Sequence, residues 1–197
     1  MFGFFEKKTT GFSFKWYQKM AKQGDSNAQY TLGHMLENGQ DTSQDYQEAI
    51  KWYKESAEQG LAKAQNNLAR MYYLEQGIQQ DYKEALKWFK RAAKQGHATA
   101  QNNLARMYYL EQGVQQDYKE ALKWFKKSAE HGYAGAHFHI GLMHESGQGV
   151  HKNCVKAHMF YAIAAANGHK EAAVAKNHVA KSMTAKQLEK AQLLAQK

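Results

Sequence analysis

The chain lacks proline altogether, carries one cysteine in 197 residues and has no long apolar run. Its apolar stretches are short and interrupted, so none offers the roughly 20 apolar residues that cross a bilayer, and no integral membrane segment is expected. A single cysteine, Cys154, excludes an intramolecular disulfide framework and fits a reducing compartment. Catalytic signatures are missing too. There is no phosphate-binding loop, nucleophile elbow or dinucleotide fingerprint, and the glycines fall at regular boundaries rather than at a strand-to-helix turn. No catalytic residue and no cofactor is therefore expected, and the chain reads as a protein that is not an enzyme. Histidines gather late in the chain, yet His137 and His139 of HFHI diverge on a helix and no HExxH motif occurs, so no metal site is expected either.

What is present is ample apolar material, at 43% hydrophobic and 13% aromatic residues, which specifies a folded rather than a disordered chain. The formal charge of +9 favours encounter with an acidic partner. The opening MFGFFEKKTTGFSF carries its apolar patch, Phe2, Phe4 and Phe5, before its lysines, the reverse of a secretory signal. Residues 1–14 read as a docking arm or cap, and the expected location is cytoplasmic.

The stretch AQNNLARMYYLEQGIQQDYKEALKWFK, ending at Lys90, recurs to Lys126 with one change, Ile78 to Val114. Trp52, Trp88 and Trp124 recur at intervals of 36, and the frame extends to Trp16 and Phe160. The columns Gly24, Gly60, Gly96, Gly132, Gly168 and Ala28, Ala64, Ala100, Ala136, Ala172 keep it without a gap. A catalytic constellation is drawn once from different elements, whereas a stacked architecture needs each unit to present the same two faces to its neighbours. The duplication argues for a scaffold.

Within one unit, Ala64, Leu68, Met71 and Tyr72 mark the stripe of a first amphipathic helix. After EQGIQQ, a second helix carries Ala85, Trp88, Phe89, Ala92 and Ala93, with Trp88 assigned to the core. Asp81 with Glu84 resembles a capping box that fixes where this helix begins, Gly96 is placed to terminate it, and Gly77 supplies the turn. Residues 15–182 form repeats of this kind, a partial first unit and about four helix pairs. Residues 183–197 form a capping helix, with Thr184 and Gln187 as a second box and Leu188, Ala191 and Leu194 as its stripe.

The pattern AQNNLARMYY…GV…DYKEALKWFKKSAEHG, with helix ends such as Ala57 to Gly60, resembles the Sel-one-like repeat, a relative of the tetratricopeptide repeat. That resemblance implies an all-α, right-handed α/α superhelix of helix pairs acting as a non-catalytic adaptor for protein complexes, with bacterial kin. The sequence departs from the pattern where Glu75 and Glu111 replace the first loop glycine and Asp41 replaces the second.

By analogy with the related repeats, the first helix of each pair lines the inner face. Opposite Ala64 and Leu68, helical geometry puts Asn66, Arg70 and Tyr73, and the next repeat supplies Asn102, Arg106 and Tyr109. In the first repeat the Arg and Tyr columns read His34 and Glu37. Amide, guanidinium and phenol together suit a polypeptide, extended or helical, that carries acidic residues. A protein or peptide partner in this concave groove is the leading expectation. RNA binding by a basic helical repeat and attachment to an anionic membrane through the Phe-rich arm are the alternatives. Exchanging Arg70 and Arg106 for glutamate is expected to weaken binding.

Overall fold

The structure, a computed structural model, describes residues 6–196. Those residues form eleven helices and no strand: α1 (Glu6–Lys22), α2 (Ser26–Asn38), α3 (Tyr46–Glu58), α4 (Ala62–Leu74), α5 (Tyr82–Lys94), α6 (Ala98–Leu110), α7 (Tyr118–Glu130), α8 (Ala134–Ser146), α9 (Cys154–Ala166), α10 (Lys170–Ala180) and α11 (Ala185–Ala195). Phe2, Phe4 and Phe5 of the expected arm lie outside the described residues. The helix α1 starts at Glu6, so part of the stretch 1–14 is continuous with the first repeat helix.

The chain divides into two compact units, Met1–Gln95 and Gly96–Lys197. In the first, α1 packs on α2, α2 on α3, α3 on α4, and α4 on α5; in the second, α6 packs on α7, α7 on α8, α8 on α9, and α9 on both α10 and α11. The helices inside each unit, α2 to α4 and α7 to α9, therefore bury two faces. The alanine columns explain how closely: Ala49, Ala64, Ala85, Ala100, Ala121, Ala136, Ala157 and Ala172 are fully buried, and a methyl group at the contact lets helix axes approach. Phe89 and Phe125, also buried, fill the wider gaps. Trp88 and Trp124 are core, as expected, whereas Trp16 is 49% exposed with its ring edge-on to Tyr17 at 4.9 Å.

Local chemistry sets the boundaries. Asp45, Asp81, Asp117 and Asn153 cap α3, α5, α7 and α9, each side chain accepting from first-turn N–H groups. The expected box at Asp81 is half realised: Asp81 accepts from Lys83 N and Glu84 N at 2.9 and 3.0 Å, but the Glu84 carboxylate turns to Lys87 at 3.2 Å. The box at Thr184 and Gln187 is complete. Gly60 (φ 98°) and Gly96 (φ 85°) supply the left-handed residue after α3 and α5. Glu75 and Glu111 adopt the same left-handed conformation, with φ of 59°, where α2 and α8 end on glycine.

The glutamines before Gly60 and Gly96 are ties between neighbours. Gln59 Nε2 donates to Gly24 O and Gln29 Oε1, at 3.1 and 2.7 Å. One repeat later Gln95 Nε2 donates to Gly60 O and Gln65 Oε1, both at 2.9 Å, and Gln65 Nε2 continues to Ala57 O. These bonds satisfy the carbonyls left open at the ends of α1 and α3 and hold successive pairs in register.

Candidate functional site

In the first unit the expected residues meet each other before they meet a ligand. The helix α2 presents Glu37, α3 presents Tyr53, and α4 presents Asn67 and Arg70. Tyr53 Oη donates to Glu37 Oε2 at 2.7 Å and accepts from Asn67 Nδ2 at 3.1 Å. Arg70 donates to the other Glu37 oxygen and, through Nη1, to Gln76 Oε1 at 2.9 Å. Burial, then the bond to the Glu37 carboxylate, pushes the Tyr53 phenol far above its ordinary range, so it stays protonated. Glu37 is therefore a buried structural carboxylate rather than a groove residue, and Arg70 is its counter-ion. A glutamate at position 70 would set two carboxylates against each other there.

Asn66 differs from its expected exposure: it is 7% exposed, its Nδ2 donates to Asn67 Oδ1, and its own Oδ1 has no partner. Tyr73 is half-buried with its ring edge-on to Tyr82 and Phe89, and His34 is exposed beside Tyr30.

In the second unit, Asn102 and Arg106 of α6 come together with the start of α8, Tyr133 to Gly135 with His139, and with Asn167 to His169 before α10. They line an open pocket of about 380 Å³. Asn102 is 3% exposed and, like Asn66, leaves its Oδ1 without a partner. His139 bonds Gly135 O through Nδ1 at 2.7 Å and stacks on Phe125 at 4.8 Å; burial, aided by the Arg106 and His169 charges, lowers its pKa to about 4. At neutral pH its imidazole is uncharged. Phe138 stacks on His169 at 4.3 Å. Tyr109 does not line this pocket: its hydroxyl donates to Gln148 Oε1, and Gln148 Nε2 reaches Tyr118 Oη at 3.0 Å.

Sequence reasoning missed Tyr133, His139 and His169, because their convergence needs three helices in place. It also missed a signal that was readable. Glu37 and Tyr53 are 16 residues apart, as are Glu145 and Tyr161, which make the same bond; where the first column reads Tyr73 or Tyr109, the second reads Phe89 or Phe125. A third column follows, Gly33 and Gly141 against Ala69 and Ala105. A Cβ on Gly33 would lie 2.9 Å from the Tyr53 ring, and one on Gly141 2.6 Å from Tyr161. The tyrosine that reaches for a carboxylate leans into its neighbour helix and needs glycine there.

Among the described residues no group of three or more His, Cys, Asp or Glu could hold a metal ion, and no helix is long and apolar enough to cross a membrane.

The family model of the Sel1 repeat matches residues 10–25, 26–61, 62–97, 98–133 and 134–169. A protective antigen of uropathogenic Escherichia coli with an SLR fold, c5321, is 37% identical with a TM-score of 0.88, over 93% of this chain and 39% of that one. The chain thus spans well under half the length of that relative. A Sel1 repeat protein of Oxalobacter formigenes is 32% identical, TM-score 0.77, over 95% of this chain and 84% of its own. The Helicobacter pylori cysteine-rich protein B, 19% identical with a TM-score of 0.53 over 68% of this chain and 96% of its own, shares the fold. No curated protein matches the chain. The repeat spacing, the all-α helix pairs and these bacterial relatives agree: the chain belongs to the Sel1 repeat family, in general non-catalytic scaffolds for protein–protein interaction.

Proposed function

We propose that this protein is an adaptor that binds a polypeptide partner along the face made by the first helix of each repeat. The observation that carries the reading is the pocket in the second unit, where Asn102 and Arg106 of α6 line one open cavity with the beginning of α8. An amide, a guanidinium and aromatic walls are the chemistry with which a protein grips another chain: directional hydrogen bonds, one charge and apolar area. The family supports the class, and the pocket supports the place.

Partner capture from lysate of the source cell tests it, comparing the wild-type chain with Arg106→Glu and with Lys90→Glu on the exposed outer face of α5. A protein retained by wild type and by Lys90→Glu but lost with Arg106→Glu is the expected result. Equal recovery by all three would overturn the assignment of this face, and recovery of nucleic acid in place of protein would overturn the polypeptide. Circular dichroism of each variant guards against unfolding.

A further inference from the structure

We infer that α8, α9 and α10 form an acid-released element, held shut by buried neutral histidines and opened by their protonation while the first unit stays closed. The opening does not depend on the polypeptide-binding reading above; its effect on a bound partner does.

The histidines are divided unevenly between the units. Nine of the ten follow Gln95, and the one in the first unit, His34, is exposed. Two of the nine stand in columns that are otherwise apolar or aromatic. His144 occupies the column of Leu36, Tyr72 and Tyr108, and His158 that of Ile50, Leu86 and Leu122. Both are buried all the same, at 8% and 5% exposure, and His144 stacks flat on Phe160 of α9 at 5.7 Å. His137 lies against the same ring at 6.3 Å, and His139 against Phe125 of α7 at 4.8 Å. Four imidazoles of α8 and α9 are thus part of the packing of the second unit.

An imidazolium donates from both nitrogens and is disfavoured by burial and by nearby cations. Nδ1 of His137, of His144 and of His158 has no partner. The charges that face the rings are cations: Lys156 of α9 and Lys126 of α7 toward His144, Lys176 of α10 toward His158, and Arg106 of α6 with His169 toward His139. His137 meets the Tyr133 backbone and the Phe160 ring. Among the described residues no ion pair joins these four rings to a carboxylate: Glu145, next to His144, takes the Tyr161 hydroxyl, and Glu171 lies 3.3 Å from His169. Burial lowers the pKa of all four, that of His139 to about 4. Protons are therefore taken up on opening, and acid favours the open form. With about 6.5 in the open form against about 4 in the closed one, His139 alone raises the open population at pH 5 about thirty-fold, and the other three act in the same direction. The first unit buries no histidine and gains nothing by this route. The pocket walls Tyr133 to Gly135, His139 and Asn167 to His169 belong to the released element, so a polypeptide held there is let go as the pH falls.

Amide hydrogen exchange of the full chain, read by NMR at pH 7 and pH 5 and corrected for the intrinsic exchange rate, tests the inference. Amides of α8 and α9 should lose protection by about thirty-fold or more, while those of α2 to α4 keep theirs within about three-fold. His144→Tyr with His158→Leu restores residues that other repeats carry and should shrink the fall; adding His139→Phe should remove a further factor of about thirty. Equal loss in both units, unchanged protection of α8 and α9, or a triple variant that falls as far as wild type would overturn the inference. The comparison of units needs the wild-type chain alone, so a variant that fails to fold leaves the test decisive. A lysate partner still bound at pH 5 after α8 and α9 have opened would overturn its placement in this pocket and leave the acid release standing.

Discussion

Replacing Tyr53 by phenylalanine removes one oxygen atom and probes the whole first-unit network. That hydroxyl donates to Glu37 at 2.7 Å and accepts from Asn67 at 3.1 Å, and Tyr53 is fully buried. Without it, one oxygen of a buried carboxylate loses its donor, which costs about 1.5–3 kcal/mol for a bond to a charged group. Arg70 holds the other oxygen and tempers the loss, so about 2 kcal/mol is expected. The chain itself specifies the compensation. Gly33→Ala, Glu37→Tyr and Tyr53→Phe together recreate the set Ala69, Tyr73 and Phe89, in which no carboxylate is buried and the phenylalanine ring is not drawn toward the helix. Gly33→Ala alone should be destabilising, because the new Cβ meets the Tyr53 ring at 2.9 Å and Ala49 O at 3.2 Å. The triple variant should lie within about 1 kcal/mol of wild type, so coupling between the sites amounts to about 2 kcal/mol or more. Urea unfolding followed by circular dichroism measures each variant, with midpoints compared at constant slope. Triple-variant destabilisation equal to the sum of the singles would refute the account of why these three columns change together.

The left-handed Glu75 and Glu111, at φ of 59°, should each gain about 0.5–1 kcal/mol on replacement by glycine, read as a higher urea midpoint. Leu68→Ala, at a fully buried position in α4, should cost about 2–5 kcal/mol by the same assay. His139 titrates at about 4 in the fold against about 6.5 unfolded, so stability is complete above pH 6.5 and falls as pH drops toward 4. The loss at pH 5 is about 2 kcal/mol from this group, reinforced in sign by His137, His144 and His158, whose pKa values burial also lowers; His139→Phe should flatten the acid limb. Asn102→Ala should leave stability unchanged or raised, because its Oδ1 has no partner, while abolishing capture of a partner that uses the pocket.

The fold was legible because its signals repeat. The tryptophan interval, the buried alanine columns and the Asp caps each recur several times, so chance agreement at one position is outvoted by the rest. The site was legible in composition and less so in exposure. A helical wheel drawn on Ala64 and Leu68 puts Asn66 on the open face, and only the folded structure shows that it is covered. Glu37 illustrates a different loss: taken as one column it looks like a change of groove chemistry, whereas taken with Tyr53, 16 residues on, it is a buried pair. Interactions between helices live in pairs of columns, and single-column reading discards them.

A chain that repeats itself carries its specificity where the repeats disagree. Most boundary columns here are fixed by mechanics: glycine is retained where φ is positive after each second helix, and aspartate or asparagine caps α3, α5, α7 and α9. The column that opens each first helix is under no such uniform demand and reads Asp25, Leu61, His97, Tyr133 and His169. A helix start can be closed by a side chain, as at Asp25 and His97, or by the backbone itself, as at Tyr133, whose carbonyl accepts from Ala136 N at 3.0 Å, and the difference in stability is about 1 kcal/mol, small enough to vary. Each such choice changes the side chain that stands at that boundary. Diversity in this column is therefore a means by which one duplicated framework varies its surface without altering any residue of the core.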